Sequence, residues 1–174
     1  MELQARAARI RLAAFDVDGT LTDGRLIFDA QGNELKAFHV HDGQGLRLLE
    51  DAGIQVALIT ARRSAIVQAR GRDLRLSHVH DGVADKLAVL RGICQAEGIA
   101  LDETAYMGDD YPDLGCLQSV GLAACPADAL PDLRAAAQFT AAFAGGHGAA
   151  RALCDLILAA QGKDADVRRR FGAG

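Results

Sequence analysis

The sequence predicts an α/β protein whose core is a doubly wound, Rossmann-like parallel sheet. Short apolar stretches of strand length alternate along the chain with longer stretches of helical periodicity, which is the pattern of parallel sheets. Polar clusters directly follow three of the apolar stretches, at Asp16 and Asp18, at Thr60, and at Asp109 and Asp110. Right-handed crossovers would bring these strand ends together at one edge of the sheet, where open α/β sheets bind their ligands.

The first strand is expected over residues 10–15, which are apolar except for Arg11. Asp16 and Asp18 follow, and an extended backbone would point both carboxylates to the same side. Gly19 then allows a sharp turn. Like charges this close repel each other, and a divalent cation would relieve the repulsion. Taken alone, the stretch also fits a strand end with an ordinary Asp-Gly turn and solvated carboxylates.

A β-hairpin flap is expected next, at about residues 24–40. Two short extended stretches, residues 25–28 and 34–40, flank a connection rich in Gly and Asn. Their apolar side chains would be exposed on so small a flap, which favours contacts between subunits. Residues 41–45 contain two glycines and are expected to form a loop.

The remaining elements alternate between helices and strands. Helices are expected at residues 2–9, 46–52, 64–72, 84–97, around Leu114 and Leu117, at 131–137 and at 149–160. Strands are expected at residues 54–60, 77–80, 104–107, 120–124 and 139–140. Several boundaries have a local cause: Ser64 suits an N-cap, Pro131 a first turn, and Gly53 and Gly98 the end of a helix.

Composition limits the class of protein. The 174 residues, 50% hydrophobic and 24% charged, fit one globular domain over residues 1–162 followed by a mobile, polar and basic tail over residues 163–174. The net charge of −4 argues against nucleic acid as a partner, and no stretch approaches the length of a membrane span. The first residues lack the apolar run of a signal peptide. Four cysteines without C-x-x-C spacing favour reduced thiols in a cytoplasmic protein.

The residues at the strand ends support phosphoryl chemistry. Asp16 suits a nucleophile, because a carboxylate attacking phosphorus forms an acyl-phosphate that water then hydrolyses. Asp18 is placed to protonate the leaving oxygen and afterwards to activate water. Oxygen ligands from Asp16, Asp18 and Asp109 suit Mg²⁺. Thr60 offers a hydroxyl and an N–H to a phosphoryl oxygen, and Lys86 adds positive charge to the transferring group.

These residues also resemble a known set of motifs. Asp16-Val17-Asp18-Gly19-Thr20, Thr60, Lys86 and Gly108-Asp109-Asp110 are similar, in order and in strand placement, to the four motifs of the haloacid dehalogenase (HAD) superfamily of phosphohydrolases. The resemblance implies the HAD fold, an aspartyl-phosphate mechanism and Mg²⁺, with the Asp18 backbone carbonyl as a further metal contact. Asp110 and Asp113 are left with two roles each, capping the next helix or acting on the metal or Lys86.

A narrower resemblance is to the 3-deoxy-D-manno-octulosonate 8-phosphate phosphatases, which serve lipopolysaccharide sugar synthesis in Gram-negative bacteria. It is carried by Asp23-Gly24, the hairpin, and residues 35–38, 42–45, 60–62, 145–151 and 154–158. It implies that a large cap domain is absent, and that four subunits assemble through their hairpins with a neighbour's tail closing each site. The sugar-phosphate contacts that it implies, together with Asp18, are His39, Val40, His41, Asp42, Gly43, Arg47, Arg62, Arg70 and Lys86.

The chain departs from that family in its substrate loops. The family usually has Arg where His41 stands, an aromatic residue where Gln44 stands and Gly where Ala61 stands. Arg holds a carboxylate with two hydrogen bonds and His does not, so the sugar is less firmly indicated than the chemistry. The alternatives are a phosphatase for a nine-carbon 2-keto-3-deoxy sugar acid 9-phosphate, or a broad sugar phosphatase. A non-catalytic module for oligomerisation or for a sugar cytidylyltransferase is a third, which the intact carboxylates and lysine oppose.

Overall fold

The structure, a computed structural model, describes residues 2–172. The strands are β1 Leu12–Phe15, β2 Ile27–Phe28, β3 Glu34–Leu35, β4 Gln55–Ile59, β5 His78–His80, β6 Thr104–Met107, β7 Leu122–Cys125 and β8 Phe139–Thr140. The helices are α1 Leu3–Ala7, α2 Val40–Asp51, α3 Ala65–Leu74, α4 Lys86–Glu97, α5 Tyr111–Leu117, α6 Pro131–Ala136, α7 Ala149–Ala160 and α8 Asp164–Arg170. Within the described residues, none of these helices has the length and apolar character needed to cross a membrane.

Six strands form one parallel sheet in the order β5-β4-β1-β6-β7-β8. The chain winds outward from β1 in both directions, so the predicted doubly wound α/β fold is confirmed. Strand β1 lies between β4 and β6, with Leu12 opposite Gln55 on one side and Thr104 on the other. The carboxyl ends of β1, β4 and β6 are therefore neighbours at the switch point of the sheet, as the positions of the polar clusters predict.

Apolar side chains cover both faces of this sheet. Ala13 and Phe15 of β1 belong to the cluster under α1, α2, α3 and α7, whereas Leu12 and Ala14 belong to the cluster under α4, α5 and α6. A strand buried on both faces needs apolar residues at every position, not only at alternate ones. That requirement explains why the strands could be recognised as short continuous apolar stretches.

The hairpin flap is present, with shorter strands than expected. Ile27 pairs with Leu35 and Phe28 with Glu34 in an antiparallel ribbon between β1 and α2. Within residues 2–172 it is the only insertion between those two elements, which agrees with the expected lack of a large cap domain. Ile27, Phe28 and Leu35 are each about half exposed, at 44%, 54% and 54%. The flap thus carries the exposed apolar surface that the sequence predicted.

Helix α2 corrects the sequence analysis, because it begins at Val40, and the loop expected over residues 41–45 forms its first turns. Glycine usually disfavours a helix interior. Here Gly45 lies where α2 crosses α7: a Cβ at this position would be 2.9 Å from Cδ and 3.2 Å from Cα of Arg151. The glycine therefore serves close packing between two helices, a tertiary cause that local sequence does not reveal.

Residues 164–170 form helix α8, where no helix was expected. Val167 packs half-buried against the core, and Arg170 pairs with Asp51 at 2.7 Å. Acidic residues in the first turn and arginines in the last complement the helix dipole. The segment has a single core-facing apolar residue, too few to give a helical pattern in the sequence. The mobility of residues 163–174 and the domain boundary at residue 162 stay predictions.

Candidate active site

Asp16 lies at the carboxyl end of β1, with its side chain buried. Its backbone N–H donates to the carbonyl of Met107, which continues the β1–β6 pairing by one residue and fixes the backbone there. Lys86 Nζ donates to Asp16 Oδ1 at 2.6 Å. Burial and the nearby Asp113 carboxylate raise the pKa of Asp16 to about 8, although Lys86 acts in the opposite direction. The carboxylate therefore needs more positive charge than Lys86 supplies.

Asp113 is the acceptor that organises the site. Lys86 Nζ and the Tyr106 hydroxyl both donate to Asp113 Oδ1 at 2.7 Å, and the backbone N–H of Asp109 donates to Oδ2 at 3.2 Å. Burial alone would lower the pKa of Lys86, but the Asp16 and Asp113 carboxylates reverse this and raise it. Lys86 is therefore held as an ammonium ion between two carboxylates.

The two roles left open for Asp110 and Asp113 are now distinguished. Asp113 holds Lys86 and also accepts weakly from the Asp110 backbone N–H at 3.4 Å. Asp110 is the N-cap of α5, where its carboxylate accepts from the backbone N–H of Tyr111 at 2.7 Å. Among the hydrogen bonds and ion pairs of residues 2–172, Asp110 makes none with Lys86. In this structure Asp110 therefore caps α5, whereas Asp113 orients Lys86 and also completes the capping box of α5.

Asp109 follows β6 and faces the loop after β1. The Thr20 hydroxyl donates to Asp109 Oδ1 at 2.9 Å. Gly19 has a φ of +91°, and a Cβ there would lie 2.2 Å from Asp109 Oδ2, so only glycine fits. Burial raises the pKa of Asp109 to about 6, with the Thr20 hydrogen bond opposing and the Asp113 charge adding to the rise.

The carboxylates fit a divalent cation. Oxygen atoms of Asp16, Asp109 and Asp113 lie within 4.8 Å of one another. Both oxygens of Asp113 already accept hydrogen bonds, so Asp16 and Asp109 are the side chains left to bind a cation. Burial raises the pKa of both, and a cation would hold both as carboxylates. This all-oxygen donor set suits Mg²⁺. The Asp18 side chain lies outside the cluster, which leaves its backbone carbonyl as the metal contact implied by the family resemblance.

The Asp18 carboxylate is bound by the flap. Lys36 Nζ donates to Asp18 Oδ1, and also to Glu34 at 3.2 Å. Arg62 donates to Glu34 at 2.8 Å, and its Nε lies 4.0 Å from Asp18 Oδ2. Arg62 is thus brought to the site as predicted. No role was predicted for the Lys36 ammonium group or for Glu34.

Thr60 is buried at the carboxyl end of β4. Phe15 pairs with Leu58 in the β1–β4 register, which places Thr60 one residue beyond the level of Asp16. Its hydroxyl accepts from the backbone N–H of Arg62 at 3.4 Å. The position agrees with a phosphoryl-binding role, which stays a prediction.

The first turn of α2 carries several of the predicted sugar contacts, and Val40 there is 76% exposed. His39 and His41 line an open cleft of about 510 Å³ together with Phe143, His147 and Arg151. The sequence analysis had noted Arg151 within a family motif but had not assigned it to substrate. Its place in the cleft follows from the crossing of α2 and α7, which no local pattern encodes.

Other predicted sugar contacts are engaged elsewhere in this structure. Asp42 accepts from the backbone N–H groups of Gly148 and Arg151, at 3.2 and 2.8 Å, and so holds the start of α7. Arg47 donates to the Leu74 carbonyl and to Asp51. Arg70 pairs with Asp73, lies over the Phe38 ring and packs against Gly43. The roles of these residues in binding a sugar stay predictions.

Comparison with known proteins agrees with this geometry. The haloacid dehalogenase-like hydrolase family matches residues 76–153. The 3-deoxy-D-manno-octulosonate 8-phosphate phosphatase KdsC of Escherichia coli (strain B / BL21-DE3) is 41% identical over 162 residues, which are 93% of this chain and 86% of that protein. A hypothetical protein from Xanthomonas campestris is 54% identical, with a TM-score of 0.95 over 97% of this chain and 92% of its own.

A third similar structure was determined with ligands. The 3-deoxy-D-manno-octulosonate 8-phosphate phosphatase of Moraxella catarrhalis, in complex with magnesium ion, phosphate ion and KDO, is 41% identical, with a TM-score of 0.92 over 95% of this chain and 96% of its own. The identity extends over nearly the whole domain, and the acidic cluster, the lysine and the flap are all in place. The chain therefore belongs to the 3-deoxy-D-manno-octulosonate 8-phosphate phosphatase family of haloacid dehalogenase-like hydrolases.

Proposed function

We propose that this phosphatase hydrolyses 3-deoxy-D-manno-octulosonate 8-phosphate to the free sugar acid and inorganic phosphate. The observation that carries the proposal is the cluster of Asp16, Lys86 and Asp109 at the switch point of the sheet, in a chain of this family. A buried nucleophile, a fixed cation and an all-oxygen metal site are what transfer of a phosphoryl group to a carboxylate requires.

The first step transfers the phosphoryl group to the protein. A carboxylate oxygen of Asp16 attacks phosphorus, and the bond from phosphorus to the sugar oxygen breaks. Asp18, as the carboxylic acid, gives its proton to that oxygen, so the sugar leaves as an alcohol. The Lys86 ammonium group offsets negative charge on the phosphoryl oxygens, and the Thr60 hydroxyl donates a hydrogen bond to one of them. Bound Mg²⁺ supplies further positive charge, with Asp16, Asp109 and the Asp18 carbonyl to hold it.

The second step releases phosphate. Asp18, now a carboxylate, takes a proton from water, and the water oxygen attacks phosphorus. The bond between phosphorus and the Asp16 oxygen breaks, which restores the Asp16 carboxylate and leaves Asp18 protonated for the next turnover. The same residue is acid and then base, so its carboxyl group must stay in place through both steps.

The sugar acid carries a carboxylate that needs cationic or donor groups. His39, His41, His147 and Arg151 around the cleft beside α2, with Arg62 at the flap, supply such groups. Arg151 Nε donates to Asp155 at 2.8 Å, and its two terminal nitrogens can still approach a carboxylate side by side. His41 lacks that two-pronged geometry, so Arg151 supports a sugar acid despite the change at His41. The nine-carbon acid 9-phosphates and a broad sugar phosphatase stay alternatives.

We also propose a homotetramer in the cytoplasm, built through the flap and the C-terminal tail. The exposed Ile27, Phe28 and Leu35 favour a covered flap, because apolar groups of this size are rarely left together in solvent. The four cysteines are all free and buried, which agrees with a reducing compartment.

The test is phosphate release with Mg²⁺ from a substrate panel. It comprises 3-deoxy-D-manno-octulosonate 8-phosphate, nine-carbon sugar acid 9-phosphates, hexose phosphates and p-nitrophenyl phosphate. We expect kcat/KM for the octulosonate to exceed the others by about a hundredfold, or roughly 2.7 kcal/mol. A flat profile would indicate a broad phosphatase. An inactive wild type on every substrate would favour the non-catalytic module. Asp16→Asn is the control, since it removes the nucleophile at nearly constant size.

A further inference from the structure

One cation of the site belongs to the flap and has no place in the two-step chemistry described above. Lys36 follows strand β3, and its side chain is only 2% exposed. Its ammonium group donates to Asp18 Oδ1 and to Glu34. A lysine buried to this degree on a small exposed hairpin needs a reason, because burying an ammonium group costs free energy unless carboxylates compensate.

The contacts of Lys36 divide the two oxygens of Asp18. Oδ1 accepts from Lys36, whereas Oδ2 is buried and has no hydrogen-bond partner among residues 2–172. Arg62 Nε is nearby but 4.0 Å away, beyond hydrogen-bond distance. Burying a carboxylate oxygen without a hydrogen-bond donor costs free energy, so such an atom calls for a functional explanation. Oδ2 is therefore the carboxylate oxygen for which no donor among the described residues competes.

We propose that Lys36 is a positioning residue for Asp18, holding Oδ1 so that Oδ2 carries the proton in both steps. The inference rests on the proposed two-step chemistry and adds a residue of the flap to it. It also gives the flap a role in catalysis: the hairpin delivers the group that sets the orientation of the acid–base residue.

Glu34 helps to hold the Lys36 ammonium group beside Asp18. Its carboxylate accepts from both Lys36 and Arg62, and burial is opposed by these two hydrogen bonds, which lower the pKa of Glu34 below its usual value. Lys36 thus has a second carboxylate partner besides Asp18. Arg62 in turn keeps Glu34 in place.

The experiment compares leaving groups that do and do not need a proton. Lys36→Met removes the cation at similar length, Lys36→Arg keeps a cation, and Arg25→Met is the matched control. Arg25 is on the same flap, but its side chain is 82% exposed and reaches only Asp23 at 3.6 Å. Each variant is assayed by stopped flow with p-nitrophenyl phosphate and with the sugar phosphate that the wild type prefers, and circular dichroism and thermal unfolding verify the fold.

With the sugar phosphate, we expect Lys36→Met to lower kcat about a hundredfold while KM stays within about threefold, because general acid–base catalysis is impaired and binding is not. With p-nitrophenyl phosphate, whose leaving group needs no proton, we expect a rapid burst of one nitrophenolate per site followed by slow turnover. The first step is spared, and the second still needs Asp18 as base. The kcat of Lys36→Arg with the sugar phosphate should be about tenfold higher than that of Lys36→Met. Arg25→Met should match the wild type.

Three results would overturn the inference. A rise in KM for the sugar phosphate at unchanged kcat would make Lys36 a substrate contact. An equal loss in the nitrophenolate burst and in turnover would make it a structural residue of the flap. Lys36→Arg as inactive as Lys36→Met would argue against positioning by a cation. If the wild type ignores the octulosonate, the proposed substrate fails, but the p-nitrophenyl phosphate burst still tests Lys36 independently.

Discussion

Asp113 accepts from four donors with two oxygen atoms, so a small change at this residue leaves a donor without an acceptor. In Asp113→Asn, an amide NH₂ replaces one oxygen and faces either Lys86 or the backbone N–H of Asp109, so a buried donor loses its acceptor. Such a loss costs about 1–3 kcal/mol. We expect kcat to fall about a hundredfold as Lys86 is displaced, and the midpoint of urea unfolding to fall with it.

Tyr106→Phe is the matched comparison for that change. It removes one neutral donor to Asp113 and leaves the charge of the cluster intact. A smaller loss is therefore expected, within about tenfold in kcat. Equal losses in the two variants would mean that the hydroxyl, not the carboxylate charge, holds Lys86 in place.

The raised pKa values of Asp16 and Asp109 predict how pH affects the metal-free protein. Both aspartates ionise near pH 4 in the unfolded chain, whereas in the fold their pKa values are about 8 and about 6. The fold therefore binds more protons than the unfolded chain within this window, and its stability falls as pH rises. We expect the Tm in EDTA to decrease from about pH 5 to about pH 8, and the gain from Mg²⁺ to be larger at the higher pH.

The variant Asp16→Asn isolates the contribution of Asp16 to the pH dependence of stability. Burial lowers the pKa of His80, which favours the fold as pH rises through the lower part of the same range, so the absolute slope contains an opposing contribution. The difference between wild type and variant removes it. Thermal scans in EDTA should show a flatter pH dependence for Asp16→Asn. The same dependence of Tm on pH in both proteins would refute the assignment of the raised pKa to Asp16.

At the residue scale, the sequence indicated Lys86 and the groups that follow strands, left two roles open for Asp113, and gave no sign of the role of Lys36. Asp16, Thr60 and Asp109 could be placed because a buried strand has a recognisable end, and parallel strand ends converge. Lys36 and Asp113 could not be placed in the same way. Each acts through a partner at a distance in the chain, and nothing around either residue indicates that its charge is buried.

At the element scale, the crossing of α2 and α7 depends on a glycine. Gly45→Ala would raise helix propensity, but its methyl group would collide with Cδ and Cα of Arg151. We expect the unfolding free energy to fall by about 1–3 kcal/mol, the usual cost of overpacking. The added methyl group should also push α2 and α7 apart and widen the cleft beside α2, so that KM for the sugar phosphate rises.

Gly92 in α4 provides the matched control, since it is also helical and glycine. A Cβ there would meet no heavy atom within 4 Å in the part of the chain that the structure describes. Gly92→Ala should therefore raise the unfolding free energy by about 0.4–1 kcal/mol. Urea unfolding of the pair separates backbone propensity from packing. Stabilisation by both substitutions would show that α2 and α7 do not need a close approach.

The predicted helices were accurate where the local sequence pattern decides the structure and inaccurate where tertiary contacts decide it. Helix α7, Ala149–Ala160, was located to the residue because its apolar positions recur at helical spacing and glycines precede it. The start of α2 was wrong, and α8 was not foreseen. The start of α2 packs against α7, and the α8 segment contacts Asp51 and Ala52 through Arg170 and Lys163. These contacts outweigh local propensity.

At the scale of the whole molecule, the sheet and its helices position the nucleophile and the metal ligands, whereas the flap holds the carboxylate of the acid–base residue. Asp16 and Asp109 stand on strand ends that are buried on both faces, so they are rigid. Asp18 instead depends on a two-stranded ribbon, which is marginally stable by itself. The ribbon therefore needs external support on its exposed apolar side. An assembly of subunits would stabilise the flap and, through Lys36, the acid–base residue.

Phe28, which is 54% exposed, is one of the apolar residues of the flap on which such an assembly would depend. We expect wild-type protein to sediment as a tetramer and Phe28→Asp to sediment as a monomer, because a buried charge without a partner opposes association. If flap support is needed, kcat of the monomer should fall at least about tenfold. Phe28→Leu keeps the apolar contact and should retain both assembly and activity. A wild type at monomer mass would remove the tetramer, and a fully active Phe28→Asp monomer would show that the flap holds Asp18 unaided.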